Sequence, residues 1–134
     1  VFNQREMSSS FWKDCSYIIC VYDVSSRKTL KSCETWVQAV QSSCKYSGRL
    51  AVPIPTLLVA NKIDLREVGI AELDEEEGRQ FANAYQFQHF ECSAERRVKV
   101  DSPFMSIAEQ AAERYQEERA GHSYERSTGT DEEK

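Results

Sequence analysis

Hydrophobic and polar positions along the chain follow two different periods. Residues 17–23 (Tyr-Ile-Ile-Cys-Val-Tyr-Asp) and 56–60 (Thr-Leu-Leu-Val-Ala) are short, almost unbroken apolar or β-branched runs. Such runs, apolar at every position, suit strands buried on both faces of a parallel sheet. Residues 87–92 (Phe-Gln-His-Phe-Glu-Cys) alternate more and predict a third strand, closed by Ser93-Ala94. Between these runs the spacing turns helical. Leu30, Cys33, Trp36, Val37, Val40 and Cys44 mark one face over residues 29–44, with Ser25 and Ser26 as capping candidates and Ser47-Gly48 as the stop. Pro53 and Pro55 keep the next loop extended. Asp74-Glu75-Glu76-Glu77 reads as an acidic helix start, with Phe81, Ala82 and Tyr85 facing inward. A last helix begins near Asp101 or Ser102, has Pro103 in its first turn, and carries Phe104, Ile107, Ala108, Ala111, Ala112 and Tyr115 as its apolar stripe. Phe2, Met7, Phe11 and Trp12 suggest a short helix over residues 2–13.

This order of strands and helices is that of an α/β fold, a parallel sheet wound by right-handed crossovers with helices on both faces. One domain over residues 1–120 is expected, followed by a flexible polar tail over 121–134, where Gly, Ser, Thr, His and charges dominate. Three strands are few for such a sheet, and the 17–22 strand would lie beside an unpaired edge. The chain also starts at Val1, without methionine and within a helical pattern. It reads as a fragment, with further strands before Val1 in the intact protein or another chain over the open side.

Composition narrows the function. The 134 residues leave room for one core, and a net charge of −5 with no basic stripe argues against nucleic acid. No apolar run reaches membrane-spanning length and no signal peptide is legible. Five cysteines (15, 20, 33, 44 and 92) form no Cys-x-x-Cys pair. They read as reduced core thiols of a cytoplasmic protein. The C-terminal Asp-Glu-Glu-Lys encodes no prenyl anchor.

The chemistry gathers where the second apolar run ends, in Asn61-Lys62-Ile63-Asp64. In open parallel sheets, ligands sit outside the carboxyl ends of the strands. A carboxylate can accept two parallel N–H bonds, an amide can both donate and accept, and a lysine stem can lie over a flat ring. Guanine presents two adjacent donors on one edge and acceptors on another, so the trio suits that base. The loop after the next strand, Cys92-Ser93-Ala94, should open on the same rim. There the Ala94 N–H could donate to a purine carbonyl that adenine lacks, and the Ser93 hydroxyl could hold Asp64. Alone, the tetrapeptide is an ordinary turn; the second loop gives it meaning. His89, His122 and Glu75-Glu76-Glu77 sit in no pattern that suggests catalysis or a metal. Trp12, Trp36 and the tyrosines read as core contacts.

These motifs, in order and spacing, resemble the C-terminal two-thirds of a Ras-superfamily small GTPase of Rab-like type: Tyr-x-x-x-Val-Tyr-Asp-Val from Tyr17, Leu-Val-Ala-Asn-Lys-Ile-Asp-Leu from Leu58, and Glu-Cys-Ser-Ala from Glu91. The resemblance implies that Asn61 and Asp64 read guanine in GTP or GDP, that Lys62 covers the base, and that Ser93 and Ala94 complete the site. Val100-Asp101-Ser102-Pro103-Phe104 is more similar to the Rab-like GTPases of intraflagellar transport. That implies protein subunits of a transport complex as partners, a cilium or flagellum as location, and no lipid anchor. The phosphate-binding loop Gly-x-x-x-x-Gly-Lys-Ser/Thr, switch I and the Asp-x-x-Gly turn are absent from the sequence. Those parts hold the phosphates and Mg²⁺, so Mg²⁺ is expected in the intact protein with no ligand here. Val1 falls where the family commonly has the water-orienting glutamine, which implies slow hydrolysis by the intact protein and none by this chain alone. The alternative is a subunit that keeps the fold and works through protein contacts without nucleotide.

Overall fold

The computed structural model describes residues 15–45 and 54–128, and leaves the side chains of 43–45 and 122–128 undescribed. The expected helix over 2–13, the Ser47-Gly48 stop and Pro53 lie outside these residues. Contacts divide the chain into two units, one up to Pro103 and one from Phe104 onward.

The first unit holds a parallel sheet of order β1-β2-β3, formed by β1 (Ile18–Asp23), β2 (Thr56–Asn61) and β3 (Gln88–Glu91). The crossovers are α1 (Arg27–Lys45) and α2 (Glu75–Tyr85). β2 is central, which explains its unbroken apolar run: Leu57, Leu58, Val59 and Ala60 are all buried. β1 departs from the expectation. Cys20 and Tyr22 are buried, but Val21 on the opposite face is 54% exposed. Among the described residues its outer edge has no partner strand, as a run beside an open edge requires.

One cluster of the core lies on the face of the sheet opposite to Leu57 and Val59. Cys20, Tyr22, Leu58 and Ala60 meet Leu30, Cys33 and Val37 of α1 and Ala82 of α2, with Phe81 and Phe87 half-buried beside them. The helical face expected of α1 is therefore the one that packs. On α2 the inward positions are Gly78 and Ala82, while Tyr85 stays exposed. Gly78 was not legible as a core position. A Cβ there would stand 2.1 Å from the Tyr22 hydroxyl and 2.6 Å from His89 Nε2, so only the bare backbone lets α2 approach.

Asp74 caps α2 by accepting from the Glu77 N–H at 2.8 Å. The helix stops at Gln86, which is left-handed (φ 60). Arg27 ties the start of α1 to α2, with Nη1 2.6 Å from Glu77 and its N–H donating to Glu72 at 2.8 Å. The Tyr85 hydroxyl donates to Glu34 of α1. Ser25 was a capping candidate, but its hydroxyl and N–H both donate to Asp23 instead.

The second unit consists of α3 (Ser102–Thr128) apart from its first two residues. The helix continues eight residues beyond Ala120, to Thr128. Arg119 lies over the Tyr115 ring at 5.7 Å, one turn away. Gly121 has open space around its Cα, so the backbone can run through it without packing demands. No described helix is long and apolar enough to cross a membrane.

Candidate functional site: the carboxyl rim of the sheet

Parallel pairing sets the site. Asp23 is the register partner of Asn61, and Ala60 that of Glu91, so all three strands end on one rim. Backbone bonds carry the alignment past the strands: Val24 N–H donates to Asn61, Cys92 N–H to Ala60, and Ile63 N–H to Cys92. The loops after β2 and β3 are thereby held side by side.

Every sequence-predicted residue lies on this rim. The Ser93 hydroxyl donates to Asp64 Oδ1 at 2.7 Å, which is the hold anticipated for it. The Ser93 hydroxyl oxygen in turn accepts from the Arg96 N–H at 3.2 Å. Ser93 is buried, and its backbone pairs in both directions with Val98. This closes the 93–98 segment into a small loop. The Ala94 N–H donates to Asn61 Oδ1 at 3.0 Å, and the Lys62 N–H donates to the same oxygen at 2.8 Å. Among the described residues the Asn61 amide donor has no acceptor. Asp64, with one oxygen engaged by Ser93, keeps its second oxygen for further donors. Arg96 also reaches Glu67 at 2.9 Å, an exposed pair across the two loops.

Lys62 adopts the left-handed conformation (φ 63, ψ 35) just before a short 3₁₀ turn, Ile63–Arg66. Its ammonium sits 2.8 Å from Asp23 Oδ2 at the end of β1. Nothing in the sequence pattern marks the Asp23 partnership. Partial burial alone would push the Asp23 carboxyl up. The Lys62 ammonium and the two Ser25 donors outweigh that and hold it below the ordinary carboxylate value.

A second polar group lies beneath the rim. Arg66 pairs with Glu91 at 2.6 Å and donates from Nε to the Leu73 carbonyl. The Tyr22 hydroxyl and His89 Nε2 stand 3.2 Å apart. Burial and the Glu91 charge push the Tyr22 phenol up to about 12, with Arg66 opposing them. Burial lowers His89 below the ordinary imidazole value. Arg66 with Glu91 and Tyr22 with His89 form two separate pairs, and Arg66 Nη2 is buried without a hydrogen-bond partner among the described residues. No cluster of three or more His, Cys, Asp or Glu side chains able to hold a metal exists among the described residues.

The Ras family model matches residues 3–113. The chain belongs to the Ras family. Among its relatives, the intraflagellar transport protein 27 homolog of Trypanosoma brucei brucei is 33% identical over 119 residues, covering 87% of this chain and 60% of that protein. The intraflagellar transport protein 27 of Chlamydomonas reinhardtii is 35% identical over 106 residues, covering 78% and 50%. The Ras-related protein Rab-18 of Caenorhabditis elegans is 30% identical over 105 residues, covering 78% and 48%. The Ras-family chain thus spans about half to three-fifths of the length of these relatives. The matched region contains β1, β2, β3 and both loops of the rim.

Proposed function

We propose that this chain is the base-reading part of a guanine-nucleotide-binding, Rab-like small GTPase, acting as a subunit of intraflagellar transport in the cytoplasm and cilium or flagellum. One observation carries the nucleotide half: Asp64 is held by the Ser93 hydroxyl at 2.7 Å while Ala94 sits beside Asn61 at 3.0 Å. The donor set suits guanine. The two Asp64 oxygens accept from the ring N–H and the exocyclic amine, Oδ1 doing so with the lone pair that Ser93 leaves, the Asn61 amide donates to a ring nitrogen, and the Lys62 stem covers the ring. The Ala94 N–H turns from Asn61 to the purine carbonyl. GTP or GDP is the cofactor, and its phosphates and Mg²⁺ are held by parts of the intact protein outside these residues. The transport half rests on the printed names of the relatives.

The test is nucleotide titration of the intact protein. GDP binding far above ADP is expected, and equal affinity for the two overturns the reading. A second reading, a structural subunit indifferent to nucleotide, is favoured by the open outer edge of β1 and exposed Val21. It predicts that an Asp64→Ala variant co-purifies with partner subunits as the wild type does; loss of the complex in that variant counts against it.

A further inference from the structure

We propose that Asp23 is a positioning residue for the base site: by gripping the Lys62 ammonium across the rim, it fixes the lysine stem as one wall of the slot. This rests on the guanine-binding reading above and extends it to a residue on a different strand.

The argument begins with Lys62 itself. A left-handed backbone disfavours any residue with a Cβ, so its conformation has to be held from outside. Its N–H is tied to Asn61 Oδ1, which fixes the backbone. The side chain remains a four-carbon stem with a freely hydrated end unless something captures it. Asp23 does so at 2.8 Å. It is the fixed end of the pair, since its side chain is 22% exposed against 53% for Lys62. Asp23 Oδ1 accepts from both the Ser25 N–H (2.9 Å) and the Ser25 hydroxyl (2.6 Å), leaving Oδ2 for the ammonium. Its own N–H donates to the Thr29 hydroxyl, anchoring the residue to the first turn of α1. Because Asp23 and Asn61 are register partners, the stem of Lys62 runs from the end of β2 to the end of β1 along the rim.

An ordinary surface ion pair contributes little, and removing one leaves binding untouched. A positioning pair behaves otherwise. In the intact protein, Asp23→Asn keeps the Ser25 and Thr29 contacts but loses the charge. Release of fluorescently labelled GDP is expected to quicken roughly threefold to tenfold. The ratio of GDP to ADP affinity should hold, because Asp64 still reads the base. Asp23→Glu should recover most of the wild-type rate. In a Lys62→Met background, the Asp23→Asn change should add nothing. If Asp23→Asn does not fold, Ser25→Ala, which loosens the same carboxylate, should quicken release in the same direction. Wild-type release rates in Asp23→Asn or Ser25→Ala overturn the positioning role while leaving guanine selectivity intact. A wild-type protein that does not prefer GDP to ADP overturns the nucleotide reading, and this inference with it.

Discussion

Replacing Asp64 by alanine removes the one charged acceptor on the rim that Ser93 orients. If the carboxylate meets two ring donors, the loss in guanine-nucleotide affinity is about 2–4 kcal/mol, with ADP affinity unchanged. Isothermal titration of the intact protein with each nucleotide measures both. Ser93→Ala should cost less, about 1 kcal/mol, since it frees the carboxylate without deleting it. His89 carries a different kind of prediction. Its imidazole is lowered from the ordinary value of 6.5 by burial, against the raising effect of Glu91 and Glu75 and with the help of Arg79 and Arg66. The folded state therefore binds this proton less readily than the unfolded chain. The stability that results is present above pH 6.5 and is lost as the pH falls through the folded-state value. Urea unfolding followed from pH 7.5 to 5 should show this loss, and His89→Gln should flatten it. Asp23 acts in the same direction at lower pH, because its depressed carboxyl favours the fold until it is protonated.

At the level of elements, α2 shows how a single missing atom determines packing. The helix comes close enough to β1 and β3 for an added Cβ at Gly78 to collide with Tyr22 and His89. Gly78→Ala should destabilise by about 1–3 kcal/mol despite alanine's better helix propensity. Chemical denaturation measures it, and an unchanged or raised midpoint would refute the close approach. The end of the same helix points the other way. Gln86 closes α2 in a left-handed conformation, its N–H donating toward Ala82 and Asn83. Gln86→Gly should relieve that backbone cost and stabilise by about 0.5–1 kcal/mol, read as a rise in melting temperature. The two glycine predictions are opposite in sign because one site lacks space and the other has the wrong φ.

Across the whole molecule, the sheet explains why residues far apart in sequence share a rim. Parallel strands joined by helical crossovers end on the same side, so the loops after β1, β2 and β3 become neighbours. Much of this was legible beforehand. The unbroken run of β2 marked a strand buried on both faces, the 3.6-residue spacing of Leu30, Cys33, Val37 and Val40 marked the packed face of α1, and Asp74 marked the start of α2. Local pattern suffices there because burial on one face repeats with the period of the backbone. Asn61-Lys62-Ile63-Asp64 and Ser93-Ala94 could be paired from sequence because each directly follows a strand of the same parallel sheet. The Asp23–Lys62 grip, the seat of Gly78 on Tyr22 and His89, and the Arg66–Glu91 pair could not. Each joins residues on different elements, through side-chain placement that no periodicity encodes. The exposed face of β1 and the reach of α3 to Thr128 were likewise decided only in three dimensions. Hydrophobicity says that a residue can be buried, while the neighbours brought to it by the fold decide whether it is.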